Sequence, residues 1–184
     1  FAIPIRKTLL IAPLVWLAAA AANCAETELL RAAMESITAT ELHSHAASLA
    51  DDRFEGRQPR TAGGKAAAVY LAKELAARKV VPAGNMDRTT YFQVSRSGYR
   101  NVLGLLPGSD PELKKEVLIV GAHYDHLGMG GPGSGSRAVD TIDVHNGADD
   151  NASGVSAVIQ LAEKMAAEKS NKRSVIFAAF GAEE

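Results

Sequence analysis

The sequence is nearly without cysteine: Cys24 is the only one among 184 residues. The folded region can form no internal disulfide, so its stability has to come from other sources, a packed core first among them. Neither sign of charge is in surplus, with 20 Lys and Arg against 21 Asp and Glu. A chain without basic excess has little with which to neutralise a phosphate backbone or an anionic bilayer, which argues against nucleic acid as a partner. Long apolar runs are scarce as well. Leu9–Ala22 is one, but it carries Pro13 and falls short of the roughly 20 residues a membrane span needs. No internal repeat or long low-complexity tract is visible.

What is present suits a globular protein that buries a core: 47% hydrophobic and 22% charged residues, at a length fit for one domain or part of one. Arg6 and Lys7 ahead of the apolar run, and small residues after it, read as a secretory signal peptide over residues 1–25. The protein is therefore expected to be exported, to the periplasm or the extracellular space, with no stable membrane span after cleavage. Cys24 occupies the place of a lipid-attachment cysteine, although Asn23 stands where such sites prefer a small residue, and one lipid chain would tether only weakly. Phe1 is not an initiator residue, so the natural beginning is expected upstream.

Helical spacing of Leu29, Leu30, Ala33, Ile37, Leu42 and Leu49 predicts helix from Glu26 to about Ala50. Thr61 is placed to cap a second helix running to about Lys79, stopped by Val81-Pro82-Ala83-Gly84. Tyr91–Val94 and Asn101–Leu106 read as strands, followed by Glu116–Ala122 and Ser174–Phe180 on either side of a helix from about Ser153 to Glu168. The continuous apolar run Val117-Leu118-Ile119-Val120 is the pattern of a strand covered on both faces. Together these predict an α/β fold, a three-layer α/β/α sandwich with a mixed, mostly parallel sheet. A helical leader segment over residues 26–90 would precede a core from about residue 91.

Three polar clusters sit beside these elements: Gly121-Ala122-His123-Tyr124-Asp125-His126, Gly147-Ala148-Asp149-Asp150-Asn151-Ala152-Ser153-Gly154 and Gly181-Ala182-Glu183-Glu184. In open α/β sheets, ligands gather at the carboxyl ends of strands, where the first and third clusters fall. His123 and Asp125 are two apart, so along a strand they would point the same way and the carboxylate could steady the imidazole. The plain alternative is a strand-end histidine bonded to a local acid. An aspartate before a helix is ordinarily a cap, but capping asks for one acid, whereas Asp149 and Asp150 are two. A carboxylate can instead give one oxygen to each of two cations. The run Asp149-x-Asn151-x-Ser153-Gly154 also mimics a calcium loop, yet Gln160 stands where a bidentate Glu is needed. Glu183 and Glu184 follow an apolar strand, where adjacent acids are costly unless charge or water compensates them; the alternative is an ordinary acidic loop. Gly128-Met129-Gly130-Gly131-Pro132-Gly133 fits G-x-G-x-x-G without a following helix, and reads as a flexible loop.

Taken together, the clusters resemble peptidase family M28, the zinc aminopeptidases in which His-x-Asp, Gly-Ala-Asp-Asp-Asn-x-Ser-Gly and a Glu-Glu pair follow in this order. Phe54-Glu55-Gly56-Arg57 and Asn101-Val102 add to the likeness, which covers roughly residues 40–184. The resemblance implies two zinc ions, with His123 a ligand of one, Asp149 the bridging ligand and Glu184 a ligand of the other. It also implies that Asp125 orients His123, that Glu183 is the general base, and that the Asp149–Asp150 peptide is cis. The substrate would be a peptide or protein, cut at its N-terminus. Residues 26–184 would then be the N-terminal part of a zinc peptidase domain, lacking a further acid and histidine. The chain as it stands is expected to be inactive, and Ser174–Phe180 is expected to lack sheet neighbours on its downstream side. Between Val94 and Asn101 there is no room for an inserted domain. Two other readings stay open: a glutaminyl cyclase of similar fold, and a receptor-like ectodomain that has lost catalysis.

The leader yields a direct expectation. Mass spectrometry of the exported protein should find a mature N-terminus between Ala22 and Glu26; a membrane-extracted product still beginning at Phe1 would make the leader an anchor.

Overall fold

In a computed structural model, which describes Glu28 and residues 31–184, the elements follow from local signals. Thr38 accepts from the Glu41 amide while Glu41 accepts from the Thr38 amide, a capping box that opens helix α1, Ala39–Leu49. This cap separates α1 from the helical residues 31–35, so the stretch expected to be helical from Glu26 is divided here. Leu49 is buried, Ala33, Ile37 and Leu42 are only half-buried, and Leu29 and Leu30 lie outside the described residues. Thr61 accepts from Gly64 N and caps α2, Ala62–Ala77, as expected. Helix α3 spans Ser153–Glu168.

Five strands form one sheet: β1 (Val81–Pro82), β2 (Phe92–Val94), β3 (Arg100–Leu106), β4 (Val117–His123) and β5 (Ser174–Phe180). The order is β1-β3-β5-β4, with β2 also paired to β3. The sheet is mixed, and its parallel character is confined to β4 and β5; β3 pairs antiparallel with β1, β2 and β5. Strand β5, expected to lack a neighbour, lies between β3 and β4. Among the described residues β4 lies at one edge of this sheet. Val117, Leu118 and Ile119 are 50%, 52% and 66% exposed, against the expectation of a strand covered on both faces. An apolar run reports what a strand can bury; which strand lies at the edge is a matter of topology.

Ile37–Glu184 forms one compact unit, and of the preceding unit, Phe1–Ser36, the described residues are helical over 31–35. The core of the larger unit joins Leu49 of α1, Ala67, Leu71 and Leu75 of α2, and Val155, Ile159 and Ala162 of α3 to Val102, Leu106, Val175, Phe177 and Ala179 of the sheet. These strand residues alternate along β3 and β5 and share one face, so the helices form one layer against it. On the opposite face Ile119 and Phe180 stay exposed, and among the described residues no α-helix covers it. Two layers of the expected sandwich are therefore described.

Phe177 is 0% exposed at the centre of the core. Phe177→Ala should cost about 3–5 kcal/mol, read as a lower urea midpoint at unchanged slope. A loss under about 1 kcal/mol would mean that the strand is not central.

Candidate metal centre

Strand β4 ends at His123 and β5 ends opposite it at Phe180, the register pairing those two residues. The chain beyond each parallel strand thus emerges at one edge of the sheet, the usual place for a site. The third segment arrives from Gly147, whose φ of 54 suits glycine, through a wide turn over Ala148–Ala152 into α3. A side chain at Gly147 would strike Asp150 O at 2.3 Å and Arg57 Nη2 at 2.7 Å.

The three segments bring His123, Asp150 and Glu184 together, with one ligand atom of each within 4.8 Å of the others. His123 Nε2 is 3.2 Å from Asp150 Oδ1 and 3.9 Å from Glu183 Oε2. One imidazole nitrogen and two carboxylate oxygens converging in this way fit a zinc ion. Asp149, the expected bridging residue, is not in the group. Its carbonyl accepts from Ser153 Oγ, and Asp150 takes the place instead. The cis peptide likewise lies one residue later than expected, between Asp150 and Asn151. Capping of α3 falls to neither acid: Asn151 Oδ1 accepts from Gly154 N at 3.0 Å, which leaves both aspartates free of that duty.

Asp125 does something the two-residue spacing did not suggest. Its carboxylate Oδ1 is 3.8 Å from His123 Nδ1, beyond hydrogen-bond reach, and that nitrogen is nearer the Asp125 carbonyl at 3.3 Å. Fully buried, it instead accepts through Oδ2 from the amides of Glu183 and Glu184, at 2.9 and 3.0 Å. Tyr124 braces the same corner, its hydroxyl donating to Arg100 O and its amide to Phe180 O. Burial, with help from Asp125, pushes its phenol up to about 12, so it stays a neutral donor.

His126, to which the sequence assigned no role, has Nδ1 3.2 Å from Glu184 Oε1. Its ring is 6.1 Å from that of His145, and both line a cleft with Asp150 and Glu184. The histidine was visible, but nothing in the sequence places it against a residue 58 positions away. On the other flank, Gln93, Val94, Ser95, Tyr99 and Phe180 line a cleft of about 790 Å³ that ends at His123 and Glu183. The glycine-rich stretch is tied at several points: Gly128 N donates to Gly56 O and Gly130 N to Asp143 O.

The choice between the adjacent acids is testable in the metal-loaded full-length protein. Asp150→Asn should lose zinc by elemental analysis, whereas Asp149→Asn should keep it; the reverse result would restore Asp149 as the ligand.

The model of the family described as "Peptidase family M28" matches residues 101–184. Among solved structures, LapA from Legionella pneumophila is 20% identical, with 85% of this chain and 38% of that one covered at a TM-score of 0.60. A leucine aminopeptidase precursor from Bacteroides thetaiotaomicron is 24% identical, with 76% and 46% covered at a TM-score of 0.52. Glutaminyl cyclase from Tannerella forsythia is 21% identical, with 76% and 46% covered at a TM-score of 0.53. At these identities the likeness is one of fold, and the chain spans less than half the length of each of these structures. Residues 101–184, which hold all three polar clusters, are the part of the chain that the model of peptidase family M28 matches.

Proposed function

We propose that this chain supplies part of the active site of an exported, two-zinc aminopeptidase, with His123, Asp150 and Glu184 as metal ligands and Glu183 as general base. The convergence of those three side chains at the ends of two parallel strands carries the reading. Zinc, when bound, would polarise a scissile carbonyl and bring the pKa of a bound water toward about 7. The chain's own groups do the rest. Glu183 keeps its side chain 62% exposed beside His123, free to accept a proton from the attacking water and return it to the leaving amine. Asp125 holds the backbone of both glutamates, and His126 holds the Glu184 carboxylate. The cleft lined by Val94, Tyr99 and Phe180 offers apolar surface for a peptide beside the base. A second zinc needs donors besides these three, since each zinc in such a site takes about three protein ligands plus water.

Glu183→Gln in the full-length protein should lower release of an aminoacyl chromophore by about 10²–10⁴-fold while zinc content stays as in wild type. Loss of zinc together with turnover would make Glu183 a ligand and remove it as the base. Because a glutaminyl cyclase shares the fold, a peptide with N-terminal glutamine belongs in the same assay. Ring closure without hydrolysis would replace the aminopeptidase reading with a transferase one.

A further inference from the structure

We infer that Arg57 is a positioning residue for the metal site, its buried guanidinium fixing the end of β4 and the approach to Asp150 in one frame so that His123 and Asp150 reach the same ion. The inference rests on the metal reading above. Arg57 is 0% exposed, although it is a surface type of residue. Its Nε donates to Tyr124 O at 2.7 Å, at the residue between His123 and Asp125. Nη2 donates to Gly147 O at 2.8 Å and Nη1 to Asn146 O, just ahead of the turn that carries Asp150. Nη1 also reaches Leu49 O at the end of α1. One rigid fork thus spans the two segments that present the ligands and fastens both to the helical layer.

The chain bends unusually to deliver this side chain. Glu55, Gly56 and Arg57 all lie in the left-handed region, with φ of 49, 64 and 51, which residues other than glycine avoid. Nothing can be added at the bend: a Cβ on Gly56 would lie 2.3 Å from Gly128 O and 2.7 Å from His145 O. All four acceptors are backbone carbonyls, and among the described residues no carboxylate contacts the guanidinium directly. Burial brings the Arg57 pKa down to about 10, with Asp125 and then Asp150 pulling it back up, so the group remains charged at neutral pH beneath an acidic site. A planar fork with five donors can hold carbonyls in two loops at once; the point charge of lysine cannot.

The test compares Arg57→Lys and Arg57→Met with Leu71→Ala, a core change in α2, in the full-length protein. Zinc affinity is read by competition with a chromophoric chelator, ligand geometry by the visible spectrum of the cobalt-substituted protein, and folding by thermal melts. Both Arg57 variants should raise the zinc dissociation constant at least tenfold and alter the cobalt bands at temperatures where they are folded. Leu71→Ala should lower Tm and leave both readouts as in wild type. Wild-type affinity and cobalt spectrum in Arg57→Lys would overturn the inference, and so would equal loosening of zinc in Leu71→Ala, the mark of general destabilisation. If neither Arg57 variant folds, the wild type decides: exchange of the Arg57 Nε–H with solvent should slow at least tenfold on zinc addition, and unchanged exchange would overturn the inference. Wild-type protein that takes up no zinc would sink the metal reading itself, and this inference with it.

Discussion

The contact on which the site depends is a carboxylate that binds backbone. Asp125 sits one residue past Tyr124 at the end of β4, and its Oδ2 receives the amides of both Glu183 and Glu184 beyond the end of β5. Parallel pairing of β4 with β5 brings the two strand ends level, but it cannot fix what happens after the last ladder bond. A buried carboxylate without water must find donors, and two converging amides are what it finds. The consequence is local: both glutamates are held by their main chain, and the Glu183 side chain stays 62% exposed.

The same logic explains why so many polar groups are buried at this edge. Arg57 donates to carbonyls and Asp125 accepts from amides, so each of the three loops is held through its backbone, and His126 adds a bond to the Glu184 side chain. Loops ordinarily satisfy such groups with solvent. Here the carbonyls of Tyr124, Asn146 and Gly147 and the amides of Glu183 and Glu184 are satisfied internally, and among the described residues no carboxylate contacts the guanidinium directly.

Much of this was legible in the sequence, and the gaps have physical causes. Thr61 as a cap, the bounds of α3 and the apolar β5 came from local pattern, and local pattern decided them. Thr38 with Glu41 is a capping box that the sequence spelled out, and it went unread because helical spacing continued through it. The exposure of Val117–Ile119 could not be read, since strand order is set by pairings between segments distant in the chain. Choosing Asp150 over Asp149 had the same obstacle at smaller scale. Adjacent residues in a turn point in different directions, and which one faces the site depends on Asp150 having φ −111 and ψ 97 inside a wide turn. Arg57 was visible only as part of a motif, because its partners at Tyr124 and Gly147 are 67 and 90 residues away.

Fold and donor set together still do not select the reaction. An aminopeptidase precursor and a glutaminyl cyclase both superpose on this chain with similar coverage, so the fold is common ground. What separates hydrolysis from ring closure is which nucleophile the site admits: water brought to the carbonyl, or the substrate's own amine folded back upon its side chain. That choice is made by the volume beside the base and by whether water can stay in it. In this chain the space next to Glu183 is a cleft of about 790 Å³ walled by Val94, Tyr99 and Phe180 and left open by an exposed β2–β3 hairpin. Removal of an N-terminal residue and cyclisation of an N-terminal glutamine both present a terminal residue to such a cleft, with the exposed Glu183 carboxylate beside it. The nucleophile that reaches the carbonyl, rather than the fold or the cleft, is therefore what distinguishes the two reactions.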